Sequence, residues 1–233
     1  MPTKVVMSWK CHVRLFRIHS NNARRQYLRD MKDIELILFD LGGVLIDIDY
    51  QATEKAFVQL GTIDFQEKYT QFQQNQLFDS FETGQISAQH FINKLLSTTR
   101  KGTSPNEVVH AWNAMILSFP EKKVQLLLEL AQKQRIALLS NTNELHMVEV
   151  KREWAKVSQV SFDSLFEQVF LSHEIKQRKP HPETFLWVCE QLGVAPSKVL
   201  FIDDSPQHIA GAQVAGLQTF YYQEEQSFYT LFS

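Results

Sequence analysis

Four groups of residues whose types could share one reaction are spread along the chain. They are Asp40 after Leu36-Ile37-Leu38-Phe39, Ser140-Asn141 after Arg135 to Leu139, Lys179-Pro180, and Asp203-Asp204 after Lys198 to Ile202. A carboxylate can attack phosphorus, while a hydroxyl and an ammonium can hold the oxygens of a transferring phosphoryl group. Several carboxylates around one phosphate would repel it without a metal, and hard oxygen donors without a His/Cys cluster favour Mg²⁺ over zinc. Gly42 stands two residues after Asp40, where this chemistry would want a second acid, and glycine transfers no protons.

These groups need a scaffold that brings them to one edge. Leu36 to Phe39 are four consecutive apolar residues, the pattern of a strand buried on both faces in a parallel sheet. Similar strands are expected near 135–139, 168–171, 198–202 and 218–222, separated by helices at 121–132, 144–157, 182–192 and 206–215. This alternation predicts an α/β fold with a doubly wound parallel sheet, whose carboxyl strand ends share one edge where ligands bind. Between Gln51 and Phe119 the spacing of Phe57, Leu60, Phe72, Leu77, Phe78, Phe81, Phe91, Leu95 and Leu96 predicts short helices, interrupted at Gly61, Gly84 and Thr98 to Pro105. Ser87 is the expected N-cap of the helix carrying Phe91.

The composition fits a soluble protein, with 44% hydrophobic and 21% charged residues, and no apolar run approaches the roughly 18 residues needed to span a bilayer. Cys11 and Cys189 form no CxxC, which gives no support to a disulfide framework or a zinc site and points to a cytoplasmic, reducing location. Cys189 reads as a small buried helical residue. Residues 1–32 hold eight Lys/Arg against Asp30 alone, a charge of +7 that leaves −9 for the rest of a chain of net charge −2. With Met31 just before the first strand, that leader reads as an over-extended start or a disordered tail, a targeting segment or binding arm being the alternatives.

All four motifs of the haloacid dehalogenase (HAD) superfamily of hydrolases have counterparts here, in order. Asp40 to Leu45 resembles the first motif, Leu138-Leu139-Ser140-Asn141 the second, Arg178-Lys179-Pro180 the third, and Phe201-Ile202-Asp203-Asp204-Ser205 the fourth. The helical stretch between the first two resembles that superfamily's small cap. Asp47-Ile48-Asp49, Glu82-Thr83-Gly84-Gln85-Ile86-Ser87 and Ser140-Asn141-Thr142-Asn143 are similar to a bacterial branch that includes glucose-1-phosphate phosphatases. The resemblance implies a Rossmann-like core at 33–49 and 119–233, a helical cap at 50–118 and a basic extension at 1–32.

It also implies roles. Asp40 would be the nucleophile, Ser140 a donor to the phosphoryl group, Lys179 the neutralising cation, and Ser140, Asn141 and Lys179 the substrate-binding set. Asp40, Asp204 and the Gly42 carbonyl would hold Mg²⁺, with Asp203 supporting the metal as a direct ligand or from outside its coordination shell. The expected activity is hydrolysis of a small phosphorylated metabolite, with no nucleic-acid or membrane partner and an oligomeric state the residues do not reveal. Phosphatases of this superfamily usually carry Asp where Gly42 stands, and a glycine is common where Lys176 stands, here read as an exposed loop residue. The missing acid leaves two alternatives: a phosphate-binding or regulatory protein without turnover, and carbon–halogen cleavage by the same aspartate. Asp47 and Asp49 read as structural, His146, His173, His181 and His208 as surface or loop residues, and Phe78, Phe81 and Trp112 as core.

Overall fold

The computed structural model describes residues 33–63, 65 and 76–232. The chain divides into two units, Met1–Asp33 and Ile34–Ser233, and all the elements named below belong to the second. The basic leader and Phe72 lie outside the described residues.

Five strands, β1 (Leu36–Phe39), β2 (Arg135–Ser140), β3 (Val169–Leu171), β4 (Val199–Asp203) and β5 (Gln218–Tyr221), form one parallel sheet in the order β3-β2-β1-β4-β5. Helices α1 (Tyr50–Gln59), α2 (Gln76–Glu82), α3 (Ala88–Leu96) and α4 (Pro105–Asn113) lie between β1 and β2 in the chain. They are followed by α5 (Glu121–Ala131), α6 (Glu144–Val157), α7 (Phe162–Leu165), α8 (Ser172–Ile175), α9 (Pro182–Gln191), α10 (Pro206–Val214) and α11 (Glu225–Leu231).

The central strand β1 is unalternating because both of its faces are covered. Leu36 and Leu38, with Ala137, Leu139, Val199 and Phe201, pack against Phe185 and Val188 of α9 and Ile209 and Ala212 of α10. On the other face Phe39 meets Phe228 of α11, ring centroids 6.3 Å apart. Each such fully buried side chain contributes roughly 1.5–3 kcal/mol, so a polar residue within β1 would be strongly destabilising. Cys189 belongs to the first of these cores, and burial pushes its thiol up to about 11, as expected of an inert core residue. No helix among the described residues is long and apolar enough to cross a membrane.

The inserted helices make their own core from Phe57, Phe78, Phe81, Phe91, Leu95 and Trp112. Their ends are set locally: Ser87 caps α3 by accepting from His90 N at 3.3 Å, and Ser104 and Glu107 close a capping box at α4. The two chain segments entering and leaving the insert are paired, with Asp47 N donating to Ser118 O and Leu117 N to Asp47 O, both at 3.0 Å, and Asp49 N to Met115 O at 2.9 Å.

Insert and sheet domain also meet at His146, which is buried rather than at the surface as its sequence context suggested. Its ring stacks on Trp112 (centroids 4.9 Å, planes 2° apart), and its Nδ1 donates to Asn113 Oδ1 at 3.0 Å. Burial pulls its pKa from 6.5 down to about 3, so the folded state holds it neutral while the unfolded chain protonates below about 6.5. Its contribution to stability is therefore complete above 6.5 and is lost as pH falls toward 3. Urea titrations at about pH 7.5 and about pH 5 should show about 2 kcal/mol more acid loss in the parent protein than in His146→Gln. Parallel pH profiles for the two proteins would contradict this placement.

Candidate active site

The sheet register assembles the site. Phe39 pairs with Leu138 on one side and Ile202 on the other, so Asp40 emerges beside Asp203 and near Ser140, on neighbouring strands about 4.8 Å apart. The backbone of Asp40 is tied to β4, its N–H donating to Ile202 O at 2.9 Å. A carboxyl at the end of a central strand in this position lies at the point where chain connections diverge to the two sides, the usual ligand crevice of such sheets.

Lys179 is the hub. Its side chain is fully buried, and Nζ donates to Asp40 Oδ1 at 2.5 Å and to Asp203 Oδ2 at 2.7 Å. Burial works against its charge, but Asp203 and Asp40 outweigh that and hold the ammonium above its ordinary value. Asn141 fixes the loop that delivers it: Asn141 Nδ2 donates to Lys179 O at 2.9 Å, and Asn141 Oδ1 accepts from Lys179 N at 3.0 Å. Gly211 of α10 lets that loop approach closely, since a Cβ there would lie 1.9 Å from Pro180 O.

The two adjacent acids differ. Asp203 is fully buried and accepts from Lys179, from Ser205 N at 2.7 Å and from His208 Nδ1 at 3.0 Å. Burial raises its pKa, yet Lys179 and His208 prevail and hold the carboxyl below the usual range. Asp204 instead faces the cavity, and burial together with Asp40 and Asp203 pushes it up to about 7. Asp40 is likewise raised, by burial and by Asp203, against the pull of Lys179. Three carboxylates that offer oxygens within 4.8 Å of one another thus share one lysine, a negative excess that suits a hard divalent cation.

Gly43 is required by this arrangement: its φ is +76°, and a Cβ would sit 2.3 Å from Asp204 Oδ2. Gly42 is not so constrained, because a Cβ there would meet only the Ile48 side chain, Cγ1 at 3.4 Å and Cδ1 at 3.7 Å, both ordinary contacts, and its φ is outside the left-handed region. Lys176 also differs from its sequence-based reading in one respect. It is exposed, but it adopts a left-handed φ of 56° at the end of α8, which is the physical reason a glycine is favoured there.

A cavity of about 580 Å³ opens over these groups, lined from the sheet edge by Asp40, Gly42, Ser140, Asn141, Lys179 and Asp204. Tyr50, Asp79, Glu82 and Met115 from the insert line it too, as do His146, Arg178, His181 and His208. Asp49 lies away from it as the N-cap of α1, accepting from Gln51 N at 2.9 Å, and Asp47 does not line it. Phe78, Phe81 and Trp112 remain in the insert's core. Sequence reasoning missed Lys123, a buried lysine on α5 that donates to Val44 O at 2.7 Å and stands over the Tyr222 ring. It anchors the turn following Gly42, and neither its position next to Val124 nor its spacing signals this. His208 could have been found as the first-turn residue of the helix following the acidic pair.

Residues 34–216 match the model of a family described as haloacid dehalogenase-like hydrolase. The chain belongs to that family. A D-ribitol-5-phosphate phosphatase from Bacteroides thetaiotaomicron is 30% identical to this HAD-like hydrolase over 192 residues, which is 80% of this chain and 91% of that one. A HAD family enzyme from the same organism, solved with magnesium and inorganic phosphate, superimposes with a TM-score of 0.80 at 34% identity, covering 86% of this chain and 100% of that one. A HAD-like family hydrolase from Porphyromonas gingivalis gives a TM-score of 0.75 at 27% identity, covering 85% and 98% of the two chains.

Proposed function

We propose that this HAD-like hydrolase is a Mg²⁺-dependent phosphatase of a small phosphorylated metabolite, acting through an aspartyl-phosphate on Asp40. The observation that carries the reading is Lys179 Nζ held between Asp40 and Asp203, with Asp204 completing a carboxylate cluster at the floor of the cavity. The phosphatase relative and the magnesium–phosphate complex of a structural neighbour support it.

In this mechanism Asp40 attacks phosphorus, the bond from phosphorus to the ester oxygen breaks, and the departing alkoxide takes its proton from solvent water. Water then attacks phosphorus of the aspartyl-phosphate, which releases inorganic phosphate and restores Asp40. Ser140 donates to a phosphoryl oxygen, and Lys179 offsets charge on Asp40 and the phosphate. Asn141, its amide engaged with the backbone of Lys179, contributes by holding that lysine in place. Asp40, Asp204 and the Gly42 carbonyl would hold Mg²⁺, with Asp203 in support because its oxygens already serve Lys179, Ser205 and His208. The ion, when bound, supplies charge neutralisation for phosphate oxygens among carboxylates. Gly42 supplies no acid, so departure of a poor leaving group is slow.

We assign the sheet domain to 33–49 and 119–233 and the cap to 50–118, a division supported by the backbone pairing of Asp47 and Asp49 with Ser118, Leu117 and Met115. The test is phosphate release from a panel of phosphorylated metabolites. Turnover should require Mg²⁺, vanish with EDTA and return when the ion is restored. Gly42 favours a second reading, a protein that binds phosphate esters without cleaving them, which tight Mg²⁺-dependent binding without phosphate release would establish.

A further inference from the structure

Beyond Lys179 and the carboxylates around it, a second charged cluster lines the cavity. Asp79 and Glu82 stand three residues apart on α2, hence on one helical face. Arg178, immediately before Lys179 in the chain, reaches across to them, Nη1 to Asp79 and Nη2 to Glu82 Oε2 at 3.2 Å. A guanidinium beside a phosphate pocket is ordinarily an anion receptor. Here both of its arms meet carboxylates, so the group of three carries a net charge of −1. Lys179, the other Lys or Arg lining the cavity among the described residues, is bonded to Asp40 and Asp203. Each of these fixed cations is therefore already answered by acid. Tyr50, on the first turn of α1 and 40% exposed, also lines the cavity and adds a phenol hydroxyl.

We propose that the Asp79–Arg178–Glu82 cluster makes the site selective for phosphate monoesters with a neutral, hydroxyl-bearing tail and against those with a carboxylate tail. The inference rests on the phosphatase reading of the Asp40 end. Hydroxyls of the substrate find acceptors in Asp79 and Glu82 and a donor in Tyr50. A carboxylate tail would meet a net negative cluster in which Asp79 is exposed but Glu82 and Arg178 are largely buried, and juxtaposed like charges are penalised there. Asp79, Glu82 and Arg178 are thereby specificity-determining residues contributed by both the insert and the loop that delivers Lys179.

Glycerol phosphate and phosphoglycerate have the same number of carbons and differ chiefly in a terminal hydroxymethyl or carboxylate group. With Mg²⁺, the whole protein should show a kcat/KM about 10-fold or more higher for glycerol phosphate. The double variant Asp79→Asn, Glu82→Gln leaves the Arg178 charge unanswered and should narrow or invert that ratio; Glu82→Gln alone should shift it less in the same direction and serves if the double variant misfolds. Calorimetric Kd values for the two esters on Asp40→Asn protein should show the same preference without turnover, so selectivity and catalysis fail separately. A ratio of one or below in the parent protein, a ratio indifferent to the variants, or no binding of either ester would overturn the inference. Absence of phosphate release with the binding preference intact would overturn only the phosphatase reading.

Discussion

Asp40→Asn is expected to reduce phosphate release by about 10⁴-fold or more, because an amide oxygen is not an effective nucleophile. The fold should survive the change. Asparagine has the shape of aspartate, Lys179 keeps its 2.7 Å bond to Asp203, and removing one of three clustered carboxylates relieves the repulsion that raises Asp204. The variant should therefore melt cooperatively near the parent temperature and still bind phosphate esters while failing to turn them over. Phosphate release within about tenfold of the parent rate, from a correctly folded variant, would show that Asp40 is not the nucleophile.

Gly42→Asp should act in the opposite direction, raising turnover of alkyl phosphates by about 10²- to 10⁴-fold, the usual contribution of a positioned acid–base group. The structure has room for it. Gly42 lines the cavity, has no left-handed backbone requirement, and would place its Cβ in ordinary contact with Ile48. Neighbouring Gly43 offers the contrast, since any side chain there would collide with Asp204. The gain should be large for alkyl esters, whose leaving alkoxide needs a proton, and small in the first step for p-nitrophenyl phosphate, whose leaving group needs none. An equal rate for Gly42→Asp and the parent on an alkyl ester would mean that another group already supplies the proton.

Much of this site was legible before the structure because its chemistry sits at the ends of buried parallel strands. Such strands appear in sequence as apolar runs, and Asp40, Ser140 and Asp203 each mark where a run meets the sheet edge. The insert was legible from its Phe and Leu spacing and from Ser87, which caps α3 as expected. What could not be read depends on distant contacts. The Arg178 pairs with Asp79 and Glu82 join a loop to a helix nearly a hundred residues earlier in the chain, and no periodicity encodes that meeting. Lys123 and His146 look like surface residues on amphipathic helices, and only packing against the Val44 turn and Trp112 buries them. α11 was missed because its short run of polar and aromatic residues has no clear period, although Phe228 covers β1. The resemblance set Asp203 apart from Asp204, but the physical cause of the difference lies in the bonds that Lys179, Ser205 and His208 make to the first, which no spacing encodes.

The most direct test of the central claim is to mix the protein with Mg²⁺ and a substrate from the panel, quench in acid during turnover, and map phosphorylated peptides by mass spectrometry. A phosphoryl group is expected on the peptide containing Asp40, sensitive to hydroxylamine as an acyl-phosphate must be, and absent from Asp40→Asn. Steady phosphate release with no phosphorylated Asp40 peptide at any quench time, in an enzyme whose Gly42→Asp variant is no faster, would contradict the central claim.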